Sequence, residues 1–299
     1  MIIKTNIEHL RDPYVLVENG VYYAYGTGVS SGDWGNTTWA CYKNTSGRLD
    51  GEWNPIVDSI YVRPETAVKN LWAPEVHKYK GKYYMFATYF SSSTEHRGCS
   101  ILSADSPEGP FGEITNGHIT PHEWDSIDGT FYLDRDGKPW MIFVHEWTST
   151  DDKVGRMAAA RLSDDLTRFV SEPEELFRAD APEWSDNNVT DGCFMYTTEQ
   201  GGLAMIWSNF GSKDYCGYCV GIAHSSSGYP DGKWTQESAP LFSNMITGDY
   251  DGGHGMIFRD IDGQLYLCVH SPNKPCDECA ERTIFVSLKE QNGTLVCEA

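Results

Sequence analysis

The chain has 299 residues, with 43 acidic against 23 basic side chains and a formal net charge of -20. Such a surface repels phosphate backbones and anionic lipid, so nucleic acid and membrane are poor partners and neutral ligands such as sugars fit better. No stretch of about 18 apolar residues offers a membrane span, and an all-β chain of this length is expected to form one domain over residues 1–299.

The opening Met1-Ile2-Ile3-Lys4-Thr5-Asn6 lacks a basic segment followed by an apolar run. As it stands the sequence predicts a cytoplasmic protein, or an exported one if a leader has been trimmed. Nine cysteines are an odd number, which argues against a full disulfide framework and for a reducing compartment. Short strands then run through the whole chain. Turns such as Glu18-Asn19-Gly20, Tyr79-Lys80-Gly81-Lys82, Arg135-Asp136-Gly137-Lys138 and Asp260-Ile261-Asp262-Gly263 each lie between two aromatic-rich runs, the signature of a tight hairpin. Second strands are predicted at 21–27, 82–89, 139–145, 203–209 and 264–270. Residues 163–169 hold at most one helical turn, and 177–188 and 235–249 read as long connections over one face.

One pattern opens the first strand of every hairpin: Asp12-Pro13-Tyr14-Val15, Ala73-Pro74-Glu75-Val76, Asp128-Gly129-Thr130-Phe131, Asp191-Gly192-Cys193-Phe194 and Gly253-His254-Gly255-Met256. Repetition every roughly 55 to 65 residues predicts an all-β, five-bladed β-propeller whose four-stranded blades carry loops. Innermost strands of a propeller run beside its axis, so Asp12, Glu75, Asp128, Asp191 and His254 are expected around one pocket. Taken singly, Asp-Pro and Asp-Gly are ordinary turn or strand-start pairs. Acidic groups that crowd together repel, a cost accepted mainly where chemistry or a cation needs them. Glycoside hydrolysis is such chemistry: one carboxylic acid protonates the leaving oxygen, one carboxylate activates water or attacks the sugar, and a third can keep the acid protonated.

Arg11-Asp12-Pro13-Tyr14, Trp72-Ala73-Pro74-Glu75-Val76 with Tyr83-Tyr84-Met85-Phe86, Ile127-Asp128-Gly129-Thr130-Phe131 and Gly252-Gly253-His254-Gly255 resemble, in kind and order, the motifs of glycoside hydrolase family 43. The matches extend over essentially the whole chain. This resemblance implies an inverting exo-glycosidase or arabinanase-like enzyme that releases arabinose, xylose or galactose from plant-type oligosaccharides. It implies Asp12 as general base and Asp128 as the group that tunes and orients the acid. The family's fourth-blade motif begins with a Glu acid, whereas this chain reads Val189-Thr190-Asp191-Gly192-Cys193. Asp191, one methylene shorter, is the expected acid; a loop acid such as Glu183 or Glu146, or a scaffold without activity, are the other readings. Trp72 is expected to stack on a sugar or to pack between blades, Glu75 to bond a sugar hydroxyl, and Arg282 and His270 to reach toward the pocket. His254 resembles the axial histidine that binds a water or a calcium ion, or else serves structure alone. A non-catalytic carbohydrate-binding propeller and a retaining five-bladed enzyme with an Asp nucleophile are the competing functions.

Two C-x-x-C pairs lie outside that resemblance. Cys216-Gly217-Tyr218-Cys219 and Cys276-Asp277-Glu278-Cys279 sit between second and third strands of neighbouring blades, a spacing able to complete a tetrahedral structural zinc site. Disulfides and unlinked thiols are the alternatives. Cys41, Cys99, Cys193 and Cys268 read as small apolar core residues.

Overall fold

Each predicted hairpin forms the inner half of an antiparallel sheet, and five such sheets make a five-bladed β-propeller. The computed structural model describes residues 1–29, 34–212, 214–274 and 280–298. Blade one is Leu10–Glu18, Val21–Val29, Thr37–Asn44 and Asn54–Pro55; blade two is Ala67–Tyr79, Lys82–Ser91, Arg97–Ala104 and Gly112–Glu113. Ser126–Leu133, Pro139–His145, Arg156–Arg161 and Glu174–Arg178 make blade three, and Asp191–Thr197, Leu203–Phe210, Tyr218–Ser225 and Trp234–Gln236 make blade four.

Blade five closes the ring with the start of the chain. Its inner strands are Gly253–Arg259, Leu265–Ser271 and Arg282–Gln291, and the fourth position is taken by Ile2–Glu8, with Ile2 opposite Val286. Thr294–Cys297 adds a further strand against Arg282–Gln291. A sheet assembled from both ends of the chain ties the first blade to the last and so closes the ring.

Second strands are buried on both faces because a neighbouring blade packs on each side. Pro139–His145 and Leu265–Ser271 are buried at every residue, which is why they read as continuous apolar runs rather than alternating ones. Much of the aromatic content fills the gaps between sheets. Trp53, Trp184, Trp207, Tyr22, Tyr25 and Phe285 are almost wholly buried, and Tyr22, Trp53 and Phe285 lie 6.0 and 5.8 Å apart in sequence across the seam between blades one and five. Each such ring pair adds roughly 0.5–1.5 kcal/mol beyond area burial. The connection expected at 235–249 contains one short helical turn, Asn244–Thr247, ended by Gly248 at φ 66°.

Candidate active site

In every blade the first strand breaks its pairing at an equivalent place, and the residue that opens this break has positive φ. These residues are Asp12 at 54°, Ala73 at 41°, Asp128 at 58°, Gly192 at 50° and His254 at 50°. Left-handed backbone is unusual for a residue with a Cβ, and its return at five equivalent positions marks a built bulge. A bulge turns consecutive rather than alternate side chains to one side, and so Arg11 with Asp12, and Ile127 with Asp128, face the same pocket.

The bulge also corrects the alignment of the fourth blade. Gly192, not Asp191, is the equivalent of Asp12 and Asp128, and Asp191 stands one residue earlier, at the position of Arg11, Trp72 and Ile127. Sterics supply the reason: a Cβ at residue 192 would lie 2.7 Å from Cγ of His254. In the fifth blade Gly253 fills the same earlier position, and a Cβ there would meet the Tyr218 ring at 2.4 Å. Absence of a side chain at 253 is what admits Tyr218 to the pocket.

Backbone N–H groups at the bulges are bonded by the preceding blade. His270 Nδ1 accepts from Asp12 N–H at 3.2 Å, Thr27 Oγ1 from Ala73 at 2.8 Å, Thr88 Oγ1 from Asp128 at 2.9 Å, and Ser208 Oγ from His254 at 2.8 Å. Each acceptor belongs to a second strand, opposite the residue that precedes the bulge. Val144 holds that position in blade three and has nothing to accept with. There the Asp128 carboxylate takes over, its Oδ2 receiving Gly192 N–H at 2.9 Å.

Over the bulges lies a pocket of about 180 Å³. The structure brings Asp12, Asp128, Asp191, Trp72 and His254 together in its wall, and adds Arg11, Trp34, Ile127, Glu146 and Tyr218. Sequence reasoning had not placed Arg11, Trp34, Ile127 or Tyr218 there; Tyr218 was masked by the C-x-x-C pair around it. Four expected residues lie elsewhere. Glu75 sits below the pocket, buried and bonded to His77 Nε2 at 2.9 Å, because it follows the bulge by two residues and shares its level with Tyr14. Arg282 is engaged with Glu8 at 3.0 Å, away from the pocket wall. His270 is fully buried behind Asp12 rather than lining the cavity. Glu183 is exposed and does not line it either.

Electrostatics separate the three aspartates. Burial alone would raise the Asp12 carboxyl, but His254, His270, Arg11 and a 2.6 Å hydrogen bond from Thr27 outweigh it and hold Asp12 below its ordinary value. His254 Nδ1 is 3.2 Å from Asp12 Oδ1 and 3.7 Å from Asp128 Oδ2. Burial, then the charge of Asp12, raises Asp128 well above the ordinary range. Burial and the charge of Asp128 push Asp191 up to about 7, against the opposing pull of His254 and a 2.9 Å hydrogen bond from the Tyr218 hydroxyl.

Of the two expected metal sites, the zinc tetrad rests partly on Cys276 and Cys279, which lie outside the described residues. Cys216 is exposed, while Cys219 lies inside the strand Tyr218–Ser225, buried in an apolar cluster with Trp184 and Trp207. Among the described residues no group of three or more His, Cys, Asp or Glu side chains is arranged to hold a metal ion, and His254 faces carboxylates on two blades. No described helix is long and apolar enough to cross a membrane.

Solved structures share this fold. An endo-arabinase structure from Bacteroides thetaiotaomicron VPI-5482 is 34% identical, with a TM-score of 0.82 over 97% of this chain and 98% of that one. A second structure from the same organism, titled an endo-1,4-beta-xylanase, is 25% identical with a TM-score of 0.78 over 99% and 97%. Extracellular endo-alpha-(1->5)-L-arabinanase 1 of Bacillus subtilis (strain 168) is 27% identical over 153 residues, 47% of this chain and 45% of that protein, so the match spans about half the length of that curated relative. Residues 7–291 match the family model of glycosyl hydrolases family 43, and the chain belongs to that family.

Proposed function

We propose that this chain is an inverting glycosidase acting on arabinan- or xylan-type oligosaccharides, with Asp12 as general base, Asp191 as general acid and Asp128 as the group that keeps the acid protonated. One observation carries the reading: two carboxyls in one pocket are driven in opposite directions, Asp12 down and Asp191 up to about 7. Pairs of titratable groups pushed apart in this way mark acid and base roles. Asp12 removes a proton from water as that water forms its bond to the anomeric carbon. Asp191 delivers its proton to the glycosidic oxygen as the carbon–oxygen bond breaks, and the sugar leaves with inverted configuration.

Asp128 and Asp191 interact strongly enough to titrate as a pair. The Gly192 N–H favours a charged Asp128 against the burial and the Asp12 charge that raise it well above the ordinary range, so the assignment of the donated proton to Asp191 rests on where the blades place the two carboxyls. Blade register supports this division, since Asp191 precedes the bulge while Asp128 is tied back by it. The relatives' printed names supply the substrate class.

Pocket volume, about 180 Å³ and so on the scale of one sugar ring, favours exo release of a terminal pentose. Endo cleavage is the second reading, favoured by the likeness to an endo-arabinase and an endo-1,4-beta-xylanase. Time-resolved NMR of the first product on aryl arabinosides, xylosides and galactosides tests the mechanism. Inverted anomer supports it, and retained anomer or no release from any of the three overturns it. Digestion of linear arabinan then separates the two modes, monomer alone marking exo action and a ladder of oligomers marking endo action.

A further inference from the structure

The pocket holds a fourth carboxylate that neither the base nor the acid role uses. Glu146 follows directly on Pro139–His145, the second strand of blade three, and its backbone N–H is bonded to the Asp125 carbonyl at 2.8 Å. Its side chain is 13% exposed and lines the pocket. Arg97, from the third strand of blade two, donates through Nε to Glu146 Oε2 at 2.7 Å. Thr148 also hydrogen-bonds to this carboxylate, and the lone pairs that these two donors do not use are left for a ligand.

Pairing with Arg97 does not by itself account for Glu146. Arg97 already has a carboxylate partner, Asp125, whose Oδ2 is 3.2 Å from Nη2. Asp125 is in turn bonded by the Arg97 N–H at 3.0 Å and the Thr148 hydroxyl at 2.8 Å, and Thr148 accepts from Arg97 Nη2 at 3.1 Å. One guanidinium therefore faces two carboxylates, with the His96 ring 3.3 Å from Asp125 as well, and of the two carboxylates Glu146 is the one that lines the pocket. The same guanidinium lies 5.6 Å from the centre of the Trp72 ring. Trp72 is pinned at its other edge by a 3.0 Å hydrogen bond from Nε1 to the Trp34 carbonyl. Arg97 thus fixes a carboxylate and an indole relative to each other in the wall of one cavity, a pairing that suits a ring with an apolar face and a hydroxyl at its edge.

We propose that Glu146 is a substrate-binding residue, its carboxylate accepting a hydrogen bond from a hydroxyl of a pentose that packs on Trp72, with Arg97 as the positioning residue for both. This rests on the glycosidase reading for the identity of the sugar, but its test does not depend on turnover. In Glu146→Gln the amide oxygen still accepts from Arg97, so the fold is kept, which thermal unfolding checks. Titration calorimetry with L-arabinose, D-xylose and their monodeoxy analogues should show a roughly 10- to 100-fold weaker affinity of the variant for the pentose that the wild type binds. One deoxy analogue should bind the wild type as weakly as the parent sugar binds the variant, and should lose nothing more in the variant. Glu146→Asp, which keeps the charge one methylene short, should recover part of the affinity.

Equal affinity of wild type and Glu146→Gln for every sugar overturns the proposal, as does a wild type that binds neither pentose. A variant with unchanged KM, whose kcat collapses on oligosaccharides yet survives on aryl pentosides with good leaving groups, makes Glu146 the proton donor and overturns it too. A wild type that binds pentose through Glu146 but hydrolyses nothing sinks the glycosidase reading and leaves this one standing.

Discussion

Asp12 and Asp191 are the same residue type in the wall of one pocket, both largely buried, yet the first is held below its ordinary value and the second is lifted to about 7. Burial pushes both upward, so burial does not decide between them. What differs is the sign of the neighbouring charge: Asp12 faces His254 and Arg11 and takes a hydroxyl hydrogen bond from Thr27, while Asp191 faces the Asp128 carboxylate. The blades deliver that difference. Blades five and one bring histidine and arginine to Asp12, and blade three brings a carboxylate to Asp191.

The comparison breaks most visibly at the base. Asp12→Asn should lower kcat on any cleaved glycoside by roughly 10²- to 10⁴-fold with little change in KM, whatever the leaving group. Activity within threefold of wild type would remove Asp12 from the mechanism. Asp191→Asn should cost a similar factor on oligosaccharides, but far less on aryl glycosides whose leaving group needs no proton. Loss that is equal on both substrate types would contradict the acid role.

Asp191→Asn also sharpens the comparison through stability. The folded chain holds the Asp191 proton up to about pH 7, whereas the unfolded chain releases it near 3.8. Between those values the folded state binds more protons, so this group's contribution to stability falls as pH rises and is gone above about 7. The variant should therefore show a flatter dependence of melting temperature on pH from 4 to 8, with its advantage over wild type largest at pH 8. A wild type that gains stability relative to the variant over that range would reverse the sign of the shift assigned to Asp191.

Smaller effects fall on the tuner. Asp128→Asn keeps an oxygen for the Gly192 N–H but removes the charge that lifts Asp191. The alkaline limb of the kcat/KM profile, set by loss of the Asp191 proton near pH 7, should move to lower pH, costing about fivefold in rate at pH 7 for the first unit moved. A limb that stays in place would leave Asp128 with an orienting role only.

Much of this was legible in the sequence. The second strands predicted at 139–145 and 203–209 are Pro139–His145 and Leu203–Phe210, because a hairpin turn and the apolar run that follows it are local signals. The closing strand Ile2–Glu8 was not read, since its partner lies some 280 positions away in the fifth blade and nothing local distinguishes it from any other strand. Asp191 was found, but one place out of register. Alignment by residue type matched Asp191 to Asp128, whereas the structure matches the left-handed backbone of Gly192 to that of Asp128. Glu75 was misplaced for a related reason: beyond the bulge the strand drops below the cavity, and only the bulge says where that happens.

The least of the expected effects belongs to Tyr218, which enters the pocket through the space left by Gly253 and donates to Asp191 Oδ2 at 2.9 Å. A hydroxyl donating to a carboxylate favours the charged form, so this contact opposes burial and Asp128. Tyr218→Phe removes it without emptying the space the ring fills. The Asp191 carboxyl should then titrate higher, and the alkaline limb should move up, opposite to the shift expected for Asp128→Asn and smaller than it. A pH profile of kcat/KM for both variants on one aryl pentoside measures the two shifts side by side. Movement of both limbs in the same direction would mean that the proton near pH 7 belongs to some group other than Asp191.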